Sequence, residues 1–177
     1  MKIKILTLLV LCAMQSLAQE KYYTKSGSIT FESSVPTFEE VKATNNKVTA
    51  IFKPETGDIA ALVLVKAFRF KIALMEEHFN ENYAETNKFP KAKFSGKIKN
   101  HKLKKKNEVI ILGKLTFHGV TQQIEIPASI KKHNKSIQIT ASFSLKPEDF
   151  GVHIPKIVRN KIAEKVDIIL SFTLNKK

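Results

Sequence analysis

Tryptophan is absent from this 177-residue chain, and cysteine occurs once, at Cys12. Arginine occurs only at Arg69 and Arg159, and tyrosine only at Tyr22, Tyr23 and Tyr83. Each scarcity excludes something. Sequence-reading nucleic-acid binders use arginine for bidentate base contacts. The net charge of +14 is built almost wholly from lysine, so no nucleic-acid partner is expected; solubility or attraction to anionic surfaces accounts for the excess. Carbohydrate-binding sandwiches favour exposed Trp and Tyr platforms, which this composition does not supply. Outer-membrane barrels carry aromatic girdles at both interfaces. Here the tyrosines fall outside the strand interiors, and the chain ends Leu174-Asn175-Lys176-Lys177, so that reading is set aside.

Motifs of chemistry are missing too. His78, His101, His118, His133 and His153 form no H-x-x-H or H-E-x-x-H spacing, and no G-x-S-x-G elbow or phosphate loop occurs. Glu148 and Asp149 are adjacent, which in an extended segment points their carboxylates apart and makes no glycosidase pair. Neither a metal nor a cofactor is expected, and the chain is read as a non-enzyme.

The mature chain contains no run long enough to span a bilayer. The apolar stretch from Ile5 to Ala13 follows Lys2 and Lys4 and precedes Ser16-Leu17-Ala18. A basic start, a short apolar core and a small-x-small site define a secretory signal. Leu11 stands before Cys12 where a lipobox needs a small residue, so ordinary cleavage is the simpler expectation. Residues 1–18 are therefore read as a signal peptide and 19–177 as one domain, in a periplasmic or secreted location. Cleavage leaves no cysteine in the remaining 159 residues. An exported chain without disulfides must be held by its core, and this length suffices for one domain.

What is present is alternation. Apolar residues recur with period two, the mark of half-buried strands. They do so at Ile29 and Phe31; at Val48, Ala50 and Phe52; through Ile59 to Val65, with Phe68, Phe70 and Ile72 resuming the pattern; and at Phe94 and Ile98. The series continues at Val109, Ile111, Leu115 and Phe117; at Ile124, Ile126, Ala128 and Ile130; from Ile137 to Leu145; and from Val166 to Leu174. About eight strands with turn signals between them predict an all-β fold, a single antiparallel barrel or sandwich, and closure into a barrel removes open edges. His118-Gly119 reads as a tight hairpin tip, because glycine accepts a positive φ. Two segments break the period. Leu74 to Glu85 is expected as a short amphipathic helix on the barrel, and Pro155 to Lys165 as a second, with Ile157, Val158 and Ile162 inward.

An antiparallel meander alternates its connections between two ends. The connections 99–107 and 131–135 share one end and are rich in lysine. The other end gathers His118, the Glu148–His153 connection and the helix carrying Glu76, Glu77, His78, Glu81 and Glu85. His78, His118 and His153 are expected there as satisfied structural histidines, with a zinc site as the rarer alternative. The lysine run at 102–106 is most simply a solvated turn; a salt-sensitive contact with an anionic membrane is the alternative.

Phe31, Phe52, Phe68, Phe70, Phe94, Leu115, Phe117, Phe143, Leu170 and Phe172 fall on the inward face. An eight-stranded barrel either fills with side chains or keeps room for one small ligand, and alternation alone leaves both open. The motifs carry further. Gly113-Lys114-Leu115-Thr116-Phe117-His118-Gly119-Val120-Thr121, continued to Pro127, resembles the G-x-L-T-x-H-G-V-T-x-x-[apolar]-x-[apolar]-P signature of the YceI-like proteins. Glu76-Glu77-His78-Phe79 with Asn82-Tyr83 and Lys88-Phe89-Pro90 through Phe94 resembles the family's R-D-x-H-L…F-F…K-Y-P…F segment. Asp149-Phe150-Gly151-Val152 is similar to its D-F-G-[apolar].

The resemblance implies an exported, lipocalin-like barrel that holds a polyisoprenoid or similar amphiphile, an isoprenoid or fatty-acyl lipid, in an open lumen. It implies ligand contacts along the phenylalanine-rich interior, with His78, Phe79 and Tyr83 near the mouth. Met75 stands where the family often has arginine, and Ala67-Phe68-Arg69-Phe70 replaces a serine-rich strand end. The mouth is therefore expected to be more apolar than in relatives, with no arginine at Met75 for a phosphate head group. By alternation Arg69 points to solvent. The competing expectation is a non-catalytic structural or interaction module with a filled core.

Overall fold

In a computed structural model, the chain is described over residues 20–34, 39–99, 106–159 and 162–177. The expected signal peptide and the lysine run at 102–105 lie outside the described residues. Among the described residues nine strands form: β1 (Tyr22–Ser34), β2 (Lys42–Lys53), β3 (Asp58–Leu64), β4 (Arg69–Phe70), β5 (Lys91–Ile98), β6 (Lys106–Phe117), β7 (Val120–Lys132), β8 (Ser136–Leu145) and β9 (Ile162–Lys176). Eight of them close in the order β1-β9-β8-β7-β6-β5-β3-β2, with β1 pairing β2 to complete the ring, and each of these pairings is antiparallel. The short β4 lies on β2, with Ala43 opposite Phe70. This is the predicted all-β barrel.

The differences from expectation have local causes. Phe68 to Ile72 does not resume a full strand: a 3-10 turn at Val65–Ala67 lifts the chain off the sheet, leaving only the two residues of β4. The helix expected over Leu74 to Glu85 is α-helical only in α1 (Ala73–His78) and then widens into a π-turn at Phe79–Tyr83. Ala84 N–H donates to the Phe79 carbonyl at 2.8 Å, an i to i+5 bond that rotates Phe79 and Tyr83 toward the barrel. The helix expected from Pro155 to Lys165 is a single 3-10 turn at Lys156–Val158, because β9 already begins at Ile162, paired with Ser34. Ile157, expected inward, is 84% exposed.

The two barrel ends differ as the meander argument requires. One carries the 54–57 turn, the β7–β8 turn with exposed Lys131, Lys132 and Lys135, and the two described chain ends. The other carries the 65–90 segment with α1, the β6–β7 hairpin and residues 146–159 of the connection between β8 and β9. The hairpin tip has His118 at φ 49° and Gly119 at φ 78°, two left-handed residues in a two-residue loop whose twist matches the flanking strands. A Cβ on Gly119 would sit 2.6 Å from the Phe89 ring. Gly119→Ala is therefore expected to cost about 1–3 kcal/mol, from left-handed strain plus overpacking; urea unfolding should show a lower midpoint at unchanged slope.

Burial is lopsided along the barrel axis. Near the lysine-rich end, Val48, Ala50, Phe52, Ile130, Ile137 and Leu174 are completely buried, with Tyr22 and Ile98 beside them. That half is packed solid. Toward the other end, Ile29, Phe31, Phe94, Ile124 and Phe143 are only partly buried, although nothing but protein surrounds them laterally. Their exposed surface faces a void.

Candidate ligand-binding cavity

The void is a cavity of about 510 Å³, inside the range of pockets that hold small ligands. Its floor is Ile59, Ile111, Ile126, Ile139 and Phe172; its walls include Phe31, Phe94, Leu115, Phe143, Ile168 and Leu170. A glycine pair across β5 and β6, Gly96 opposite Gly113, gives Phe94 its place. A Cβ at either position would come within 2.7 Å of the Phe94 ring, so the ring rests against the wall where side chains are missing.

One side of the mouth is an aromatic cluster. Phe31 meets Phe68, Phe70 and Phe79 at centroid separations of 5.0, 5.7 and 5.2 Å, edge-on or tilted. Such geometry is the favoured one for aromatic pairs. Met75 and Tyr83 complete that side. The other side is the connection after β8: a 3-10 turn at Pro147–Phe150 followed by an extended stretch, with Phe150, Val152, Ile154 and Val158 on the cavity.

The sequence-expected residues fall as follows. Phe31, Phe68, Phe70, His78, Phe79, Tyr83, Phe94, Leu115, Phe117, Phe143, Leu170 and Phe172 all line the cavity. Phe52 does not. It shares the inward face but sits below the floor, completely buried in the solid half, because alternation reports side and not depth. Leu74, expected against the barrel, is 57% exposed; Met75 faces the cavity in its place. Sequence reasoning missed the strap residues Phe150, Val152 and Ile154, although their period of two was a readable signal. Val41 on the rim was also missed, and nothing in its local sequence marks it.

Polar groups are few at the mouth, and several are already engaged. Arg69 points outward, as expected, and is pinned: its guanidinium donates to Glu76 Oε1 at 2.8 Å and to the carbonyls of Lys66 and Phe68. Glu76 Oε2 in turn accepts from the Phe70 amide at 3.1 Å, so one carboxylate ties α1 to β4. Lys146, on the cavity edge, donates to Glu164 at 2.7 Å; the hydrogen bond and charge of Glu164 hold its ammonium above the ordinary lysine value. His118 is a satisfied structural histidine. Its Nε2 lies 2.7 Å from Glu85 and its Nδ1 3.2 Å from the Phe150 carbonyl, and Phe89 stacks edge-on against it at 4.6 Å. The hairpin tip is thereby fastened to both sides of the mouth. Among the described residues no three His, Cys, Asp or Glu side chains are placed to hold a metal ion.

A closed antiparallel barrel, solid at one end and hollow and apolar at the other, defines a lipocalin-like architecture with an internal apolar cavity. The sequence assigns it more narrowly: a model of the YceI-like domain matches residues 22–174, and the chain belongs to that family. Solved structures agree in fold. A polyisoprenoid-binding domain from Saccharophagus degradans, implicated in plant cell wall breakdown, superposes with a TM-score of 0.77 at 13% identity, covering 89% of this chain and 98% of its own. BcnA of Burkholderia cenocepacia gives 0.70 at 17% identity, with 83% and 95% covered. A Campylobacter jejuni YceI protein gives 0.61 at 18% identity, with 79% and 86% covered. No curated protein matches the chain.

Proposed function

We propose that this protein is an exported carrier or sequestering protein for a long-chain amphiphile, a polyisoprenoid or similar lipid, held by burial without turnover. The observation that carries this reading is the cavity: phenylalanine and aliphatic side chains on floor and walls, with charge confined to the rim at Glu39, His78, Lys93 and Lys146. Apolar chains bind such a surface at about 0.8 kcal/mol per buried methylene, so a few isoprene units suffice for firm retention. The polyisoprenoid-binding domain of matching fold supports the ligand class. The N-terminal signal pattern supports export to the periplasm or beyond. The described lysine-rich turn between β7 and β8 belongs to the solid end, away from the mouth, and is read as a solvated surface.

The test is native mass spectrometry of the purified mature protein, followed by organic extraction. A stoichiometric adduct of lipid mass is the expected result. A bare polypeptide that also refuses added isoprenoids and fatty acids would return the protein to the class of interaction modules.

A further inference from the structure

A cavity for a water-insoluble chain must be loaded from somewhere, and the surface around its mouth differs from the rest of the barrel. Among the described residues six large apolar side chains are exposed: Leu64, Ile72, Leu74, Ile110, Ile157 and Ile169. Ile110 and Ile169 stand apart on the barrel wall, in β6 and β9. The other four ring the mouth: Leu64 ends β3, Ile72 precedes α1, Leu74 lies in its first turn, and Ile157 crowns the 3-10 turn between β8 and β9. Single exposed apolar residues are ordinary, but a set gathered round one opening marks a contact surface.

We infer that the mouth end docks on a lipid bilayer, with Ile72, Leu74 and Ile157 entering the interface and the cavity opening onto it. Two observations favour a bilayer as the occupant. The exposed apolar side chains share their segments with the lining: Ile72 and Leu74 lie between the cavity residues Phe70 and Met75, with Lys71 the one charge among them, and Ile157 adjoins Val158, so apolar side chains lead from lumen to rim on both sides of the mouth. The charge beside them also complements acidic head groups. Lys66, Lys71 and Lys156 flank Leu64, Ile72 and Ile157 and form no ion pair among the described residues, whereas Glu76, Glu85, Glu148 and Glu164 are each engaged by Arg69, His118, Arg159 and Lys146. Glu39, Glu77, Glu81 and Asp149 are also exposed at this end, so the apolar contact supplies the larger part of the attraction. An apolar tip bordered by lysine is the composition of an interfacial anchor. No described helix is long and apolar enough to cross a membrane.

The inference rests on the carrier reading, and its test separates the two. The mature protein is floated with vesicles of phosphatidylcholine, alone and mixed with phosphatidylglycerol, while ligand retention is measured after loading from detergent. Leu74→Asp combined with Ile157→Asp should lower the vesicle-bound fraction about tenfold or more, the scale set by withdrawing two partly inserted aliphatic side chains. Retention from detergent should stay at the wild-type level, because neither side chain lines the cavity. Ile110→Asp with Ile169→Asp, the same chemistry on the wall, should leave flotation unchanged. Docking by the mouth is overturned if the wall variant loses flotation equally, or if charge reversal of Lys131, Lys132 and Lys135 at the solid end abolishes it instead. A wild-type protein that never floats overturns it also, while failure of ligand retention alone strikes at the carrier reading.

Discussion

Phe143→Arg should leave a folded protein that retains no lipid. Phe143 lies on β8 with its ring on the cavity wall, partly buried against the core yet facing the void. The substitution removes an aromatic contact worth about 2–3 kcal/mol to an apolar ligand and puts a cation where the chain would lie. Burying an unpaired guanidinium costs several kcal/mol more, so the arginine stem will run toward the mouth with its head in water and obstruct the entrance. The combined loss is about a hundredfold or more in retention. The fold should survive, since the same snorkelling spares the core. Phe117→Arg, at the mouth end of β6, should behave alike. Extraction of each purified variant, beside circular dichroism to establish folding, checks both. Folded variants that still carry stoichiometric lipid would place the ligand outside this cavity.

How much of this was legible in the sequence depends on which physical constraint each residue obeys. Strand alternation obeys a local rule, so the inward identity of Phe31, Phe94, Phe143 and Phe172 could be read directly. The polarity of the barrel followed from counting connections, because antiparallel closure leaves a loop no choice of end. Depth along the axis obeys no local rule. Phe52 and Phe172 look equivalent in the sequence, yet one is locked among Val48, Ala50 and Leu174 while the other forms the cavity floor. Conformations imposed by tertiary contact were equally hidden. The π-turn at Phe79–Tyr83 arises where the chain must return to the barrel, and no propensity at Asn80 or Asn82 announces it. The His118–Glu85 pair joins segments whose approach the closed barrel creates, and the Arg69–Glu76 pair, though local, depends on the bend between β4 and α1. After β8 the alternation of Phe150, Val152 and Ile154 is itself a strand-like signal, and within the segment expected as a helix from Pro155 to Lys165, Ile162 belongs to the same series of two as Val166.

That difference in depth supplies the second large effect, one that needs no ligand. Phe52→Ala removes a completely buried ring from a solid region that cannot collapse around the loss. Such substitutions cost about 3–5 kcal/mol, and for a domain of this size each kcal/mol moves the midpoint by about 2–4 °C. A fall of about 10 °C or more in Tm is expected. Phe117→Ala deletes the same atoms from a ring that borders the cavity and touches Phe150 at 6.1 Å and His118 at 6.3 Å. Its far face already lacks contacts, so no new cavity term is incurred, and the cost should be about 1 kcal/mol, a few degrees. The comparison must be made on delipidated protein, because ligand bound only by the native state raises Tm by mass action and would exaggerate the effect of Phe117. Equal losses at the two positions would mean that the upper barrel is packed like the lower one. A large loss at Phe52 beside a small one at Phe117 is the energetic signature of a barrel solid at one end and hollow at the other, since a phenylalanine contributes according to the atoms it touches and not according to the face it occupies.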